Sequence, residues 1–194
     1  MKRMAILTLV ISCFSTLSLA VSAQQSGRAR LDRLEQSLKA DVPRLICLTD
    51  SYATGGQPSD MAFGKLAASG FRSVVDLRTA GEGADLEKER KLVEQSGMRY
   101  FNVPVVSSAP RPEQADEFLQ IVNEKAHQPM LIHCATANRV GAFMMIFRVL
   151  EQGWSEDKAL EEAERIGLSS GGLKKFAHDY ISQHKVKVIT ETQH

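Results

Sequence analysis

Seven consecutive residues, His133-Cys134-Ala135-Thr136-Ala137-Asn138-Arg139, set a thiol and a guanidinium at fixed spacing. A short apolar run precedes them, Pro129-Met130-Leu131-Ile132, and reads as a buried strand. Residues 140–147 follow, apolar enough for a buried helix. A loop between strand and helix turns successive backbone N–H groups inward, and the helix N-terminus adds positive potential. The stretch therefore predicts an anion cradle with a nucleophile in it, and the same field favours the thiolate form of Cys134. Cysteine is the nucleophile least dependent on an activating base. Arg139 can close on an oxyanion bidentately, which a lysine cannot do. Together these residues suit attack of Cys134 on a phosphoryl group, giving a phosphocysteine that water then hydrolyses. Arg139 and the loop residues Ala135, Thr136, Ala137 and Asn138 would hold the phosphate, and His133 would hold the loop.

The elements around this loop alternate. Strands are predicted at residues 45–48, 52–54, 71–78, 100–105 and 129–132. A helix capped by Ser59 or Asp60 stops at Gly70, a polar one spans 85–96, and a third spans 113–125. Beyond the central helix, Ser155 caps another that ends near Gly167, and Gly171-Gly172 opens the last. Strands alternating with helices predict an α/β three-layer fold, with a mainly parallel four- to five-stranded sheet flanked by helices. Ligands in such sheets sit beyond the carboxyl ends of the strands. The loops after Leu77 and Val105 would join the Cys134 loop there, and loops 79–85 and 106–112 would shape specificity. Asp76 and Arg78, at the end of one strand, would support these loops.

The chain has 194 residues, 43% hydrophobic and 24% charged, with a formal net charge of +1. That suits one domain with a real core, and it points to neither nucleic acid nor an anionic membrane surface as partner. Lys2 and Arg3 precede an apolar run that ends in Val21-Ser22-Ala23, so residues 1–23 read as a secretory signal peptide and the mature protein as secreted or periplasmic. An uncleaved anchor and a lipoprotein cut before Cys13 are the alternatives. Residues 24–44 read as a leader helix, 45–184 as the catalytic domain and 185–194 as a flexible tail. Cleavage would leave two cysteines, Cys47 and Cys134, which in an exported protein are a candidate pair. No histidine pair has metal-ligand spacing, and neither metal nor cofactor is expected.

His133-Cys134 and Arg139 resemble the signature of cysteine-dependent protein phosphatases. Residues 54–59 (Thr-Gly-Gly-Gln-Pro-Ser), 70–78 (Gly-Phe-Arg-Ser-Val-Val-Asp-Leu-Arg) and 97–105 (Gly-Met-Arg-Tyr-Phe-Asn-Val-Pro-Val) are similar to its bacterial dual-specificity-like branch, akin to the phosphatase-like domain of β-lactamase-hydrolase-like proteins. The resemblance covers residues 45–182. It implies hydrolysis of phosphotyrosine, phosphoserine/threonine or a small phosphorylated molecule through Cys134 and Arg139. The chain departs from that pattern in four places. Four residues, not five, separate cysteine from arginine, Ala137 stands where a glycine is usual, and Val140 replaces a hydroxyl residue. The usual acid position, just after Val105, holds Val106-Ser107-Ser108. Glu113 and Asp116 are the candidate general acids, with Glu82 a third by position.

Two other functions fit the same loop. A six-residue loop from cysteine to arginine also suits a rhodanese-like sulfurtransferase carrying a Cys134 persulfide. A catalytically weak module that binds phosphorylated ligands fits the missing acid, Ala137 and Val140. For Cys134 the plain alternative is a buried structural cysteine, and for Arg139 a surface ion pair.

Overall fold

The structure, a computed structural model, describes residues 25–191, with side chains to residue 185. The signal-peptide expectation falls on residues outside this range. Among the described residues no helix is long and apolar enough to cross a membrane.

Helix α1 spans 25–38. Five strands follow: β1 (Ile46–Cys47), β2 (Tyr52–Gly55), β3 (Ser73–Asp76), β4 (Arg99–Asn102) and β5 (Met130–His133). They form one sheet in the order β1-β2-β5-β3-β4, parallel except for β1 against β2. Helices α2 (Ala62–Ala68) and α3 (Leu86–Gln95) come before β4, and α4 (Pro112–Asn123) lies between β4 and β5. The chain ends in α5 (Asn138–Leu150), α6 (Glu156–Ile166) and α7 (Gly171–Glu191). The expected layers and mainly parallel sheet are therefore present, and β5 with its cysteine is the central strand.

Alternation along β5 divides the core. Met130, Ile132 and Cys134 join the apolar cluster under α4, α5, α6 and α7, including Phe118, Phe143, Phe147 and Ile166. Leu131 belongs to the other cluster, with Leu38, Phe63, Leu66 and Val93 from α1, α2 and α3. Helix α5 is buried almost all round, from Arg139 through Val149. At about 1.5–3 kcal/mol for each large apolar side chain removed from water, it anchors the fold and with it the loop that precedes it. Gly141 permits the close α5–α6 approach: a β-carbon there would lie 2.6 Å from the Ala163 carbonyl oxygen.

Several boundaries move. Ser59 and Asp60 do not cap α2, whose N-cap is Met61 without a side-chain bond. Longer-range partners claim both: Ser59 Oγ donates to Asp41, and Asp60 pairs with Lys88. The strands predicted at 71–78 and 100–105 are shorter, yet Val103 N–H donates to Asp76 O and Val105 N–H to Leu77 O, so the pairing continues as single bonds. Loop 79–83 contains a 3-10 turn, Ala80–Glu82, closed by a capping box between Thr79 and Glu82. Asp85, Ser155 and Gly167 sit at helix ends as the sequence suggests. The backbone of α7 runs helical to Glu191, past Lys185.

Candidate active site

Cys134 stands one residue beyond β5, 1% exposed, and Ala135-Thr136-Ala137 carry the chain into α5. The turn is tight enough to place Ala137 at φ 65°, ψ 5°, the left-handed region. Alanine pays about 1–2 kcal/mol there, and the enclosing contacts hold it. Gly167, at φ 149°, lies against the loop so closely that a β-carbon would sit 3.1 Å from Thr136 O and 3.3 Å from Ala137 C. On the other side Gln57 N–H donates to Ala135 O at 3.3 Å, and Gly56 leaves room for that oxygen. The Gly-Gln-Pro segment thus braces the loop. Asn138 turns away from it: its Oδ1 accepts from Ser169 and Ser170 N–H, and its Nδ2 donates to Ser169 Oγ. Its side chain ties the start of α5 to the α6–α7 link, whereas the sequence suggested a place for Asn138 among the residues holding the phosphate.

Arg139 is 4% exposed and its donors can be assigned one by one. Nη1 donates to Leu77 O (3.1 Å), Val105 O (2.8 Å) and Glu82 Oε1 (2.5 Å), and Nη2 donates to Glu82 Oε2 (2.6 Å). Glu82 therefore grips the end of the guanidinium, and two loop carbonyls fill the rest of Nη1. Nε–H and the second Nη2 hydrogen remain, a pair on one edge that matches an oxyanion. Cys134 lies close enough to this guanidinium for its charge to act on it. Burial alone would lower the Arg139 pKa, but the bonds to Glu82 and the charge of Cys134 outweigh it and raise it. The bond to Arg139 brings Glu82 down to about 2. A carboxyl ionised this far down cannot donate a proton near neutrality, which removes Glu82 as an acid and makes it the residue that orients Arg139.

A polar cluster supports the loop from the α3 face. Asp76 Oδ1 accepts from Arg78 Nε (2.9 Å) and backbone N–H, and Oδ2 from Arg78 Nη2 (2.7 Å) and Tyr100 OH (2.9 Å). Burial would raise the Asp76 pKa, but the bonds from Arg78 and its charge hold it down. Glu89, from α3, accepts from Arg78 Nη2 (2.5 Å) and Gln57 Nε2 (2.9 Å). His133 Nε2 lies 2.8 Å from Glu89 Oε1, within ion-pair range but off the line of a hydrogen bond. Asp76, Glu89 and His133 bring ligand-type atoms within 4.8 Å of one another, yet the cation their carboxylates hold is Arg78. His133, Asp76 and Arg78, the residues given supporting roles from the sequence, thus lie in one cluster. Glu89 and Tyr100 were missed because a lone acid in a polar helix and a tyrosine in a strand carry no local signal.

Neither Glu113 nor Asp116 is bonded to Cys134 or Arg139. Asp116 accepts the hydroxyl of Tyr180 on α7. Glu113 is exposed in the first turn of α4, with no hydrogen bond or ion pair among the described residues. Cys47 cannot pair with Cys134. Both are free, buried, and in the clusters on opposite faces of the sheet. The register Cys47–Ala53–Leu131 sets them two strands across and three residues along, about 14 Å, where a disulfide needs Cα atoms within about 7 Å. Burial, then the nearby Glu35, pushes the Cys47 thiol up to about 12.

A family model described as "DSP-PTPase phosphatase fused to NAD+ Kinase" matches residues 47–180. The chain is 24% identical over 131 residues to the β-lactamase hydrolase-like protein of Xylella fastidiosa 9a5c, covering 66% of this chain and 29% of that one. It is 29% identical over 100 residues to the dual specificity protein phosphatase TpbA of Pseudomonas aeruginosa UCBPP-PA14, covering 49% and 44%. The chain thus spans less than a third of the first of these relatives and less than half of the second. The crystal structure of P. aeruginosa TpbA shares the fold, with TM-score 0.57 at 21% identity, over 72% of this chain and 84% of that one. With the family model matched across the sheet, the cysteine loop and the helices that enclose it, the chain belongs to the DSP-PTPase phosphatase family.

Proposed function

We infer that this chain is an exported phosphatase that cleaves phosphate monoesters through a phosphocysteine on Cys134. The observation that carries the reading is the state of Arg139, buried and clamped at its end by Glu82, Leu77 O and Val105 O, with the charge of Cys134 acting on the same guanidinium. A phosphoryl group above the sulfur would take the free edge of that guanidinium and the N–H groups of residues 135–139, with the N-terminus of α5 behind them. The thiolate attacks phosphorus, the ester oxygen leaves, and water releases phosphate. His133 and the Asp76–Arg78–Glu89 cluster hold the loop that aims the sulfur. Phosphotyrosine, phosphoserine/threonine and small phosphorylated molecules are the substrate classes considered. Export rests on residues 1–23 alone. Family membership favours phosphoryl over sulfur transfer.

The test is an assay of reduced protein, residues 24–194, on p-nitrophenyl phosphate and, separately, on thiosulfate with cyanide. Turnover of the phosphate, lost in Cys134→Ser, is expected. Phosphate hydrolysis that survives this change, or thiosulfate turnover in its place, contradicts the reading. Tight vanadate binding without turnover would instead support the phospho-ligand-binding module.

A further inference from the structure

We propose that Arg44 is a positioning residue of the active site, holding the cysteine loop in shape from outside by pinning the end of α6 against it; the proposal rests on Cys134 being the nucleophile. Backbone strain marks the residue. Among the described residues two other than glycine take a positive φ, Ala137 at 65° and Arg44 at 56°. The first lies in the cysteine loop, the second in the segment that joins α1 to β1.

Arg44 occupies a β-turn. Leu45 N–H donates to Val42 O at 3.3 Å, with Pro43 and Arg44 at the two central places. Proline presets the first of these, and a positive φ at the second ordinarily calls for glycine or asparagine. Arginine there carries a backbone cost that glycine would not. Such strain persists where the surroundings impose it, and it gathers at functional sites.

The turn touches both walls of the cysteine loop. Pro43 O accepts from Gly56 N–H at 2.7 Å, and a β-carbon on Gly56 would stand 3.3 Å from that oxygen and 3.1 Å from Ala135 O. Arg44 Nε donates to the carbonyl oxygen of Ile166, the last residue of α6, at 3.4 Å. Gly167 comes next, and a β-carbon there would stand 3.2 Å from Arg44 Nε, 3.1 Å from Thr136 O and 3.3 Å from Ala137 C. The guanidinium, Gly167 and the Thr136–Ala137 peptide are thus packed in one contact. The base of the turn is fixed in its own right. Asp41 O accepts from Ser59 N–H at 2.7 Å, and its carboxylate accepts from Ser59 Oγ and pairs with Lys65 on α2.

The effect on the chemistry runs through Ala137. A left-handed alanine stays so only while the atoms around it over-determine its conformation. Arg44 holds the last turn of α6, and Gly167 with it, against Thr136 and Ala137. Without that bond the end of α6 can withdraw and Ala137 can relax. The N–H groups of residues 135–139 then no longer converge on one oxyanion, a loss of transition-state stabilisation and not of fold. Residues 41–45, which the sequence divided between leader and catalytic domain, belong together as support for the site.

The test takes residues 24–194 as wild type, Arg44→Gly, Arg44→Lys and Cys134→Ser. It reads kcat and KM on p-nitrophenyl phosphate, vanadate affinity and melting temperature. Arg44→Gly removes the guanidinium and the backbone strain together. It is expected to melt no lower than wild type, yet to lose about 10-fold in kcat and in vanadate affinity. Arg44→Lys keeps a donor for Ile166 O and should restore most of that loss. Wild-type kcat and vanadate affinity in Arg44→Gly would overturn the proposal, as would a loss of activity matched by a fall in melting temperature. A raised KM for a phosphotyrosine peptide flanked by aspartates, with p-nitrophenyl phosphate turnover intact, would also overturn it and make Arg44 a substrate contact. No turnover by wild type, or turnover that survives in Cys134→Ser, would overturn the phosphatase reading, and the vanadate affinity of Arg44→Gly would still decide the part given to Arg44.

Discussion

Arg139 has five N–H donors, and three of them, in four hydrogen bonds, hold the group still and turned one way. Glu82 is the main agent. A glutamine at 82 offers one acceptor and sets an amide N–H₂ against the other guanidinium donor, so it should tilt Arg139 off the sulfur. Glu82→Gln is expected to lower kcat/KM on p-nitrophenyl phosphate about 10- to 100-fold, the scale usual when a partner that orients a functional side chain is lost. Vanadate affinity should fall with it, while circular dichroism stays native. The same pair predicts a pH effect. Its pKa is depressed in the folded state, so its contribution to stability is present above the ordinary 4.5 and disappears as pH falls towards about 2. Thermal melts of wild type and Glu82→Gln should therefore converge over that window. At this scale the cysteine and the arginine were legible in the sequence because their spacing is local. Glu82 was seen only as a stand-in acid, because its 57-residue separation from Arg139 leaves no local trace.

Among the elements, the loop is shaped less by its own sequence than by what encloses it. Gly56-Gln57 just past β2 and Gly167 from the end of α6 press on it from two sides, and α5 fixes its exit. Gly167→Ala should cost about 1–3 kcal/mol, because a β-carbon meets Thr136 O and Ala137 C and the φ of 149° is strained for any side chain. Activity should fall more than melting temperature suggests, since the displaced atoms belong to the cradle. Equal activity with a lower melting temperature would separate Gly167 from the site. The sequence allowed the strands, the helices and their order to be read, since period-two and 3.6 patterns and the stops at Gly70, Gly97 and Gly167 are local. It misled where side chains serve distant partners, as at Ser59, Asp60 and Asn138.

The whole molecule is a sheet with a different core on each face, and this decides the fate of the cysteines. The two thiols that cleavage after residue 23 would leave invite a disulfide on composition alone, yet the sheet itself separates Cys47 from Cys134. Cys47→Ser is expected to leave both activity and any need for reductant unchanged, and iodoacetamide should label Cys134 well before Cys47. A reductant requirement abolished by Cys47→Ser would show that the two thiols meet. Parallel order was inferable from alternating strands and helices. Which face each cysteine takes depends on register, which no single segment carries.

The account turns on Cys134 holding the phosphoryl group, and acid quenching during turnover of p-nitrophenyl phosphate, followed by intact-mass and peptide analysis, tests it most directly. The account predicts a mass increase of one phosphoryl group located on Cys134, absent in Cys134→Ser. Turnover with unmodified Cys134 at every quench time, or phosphate found on another residue, would contradict it.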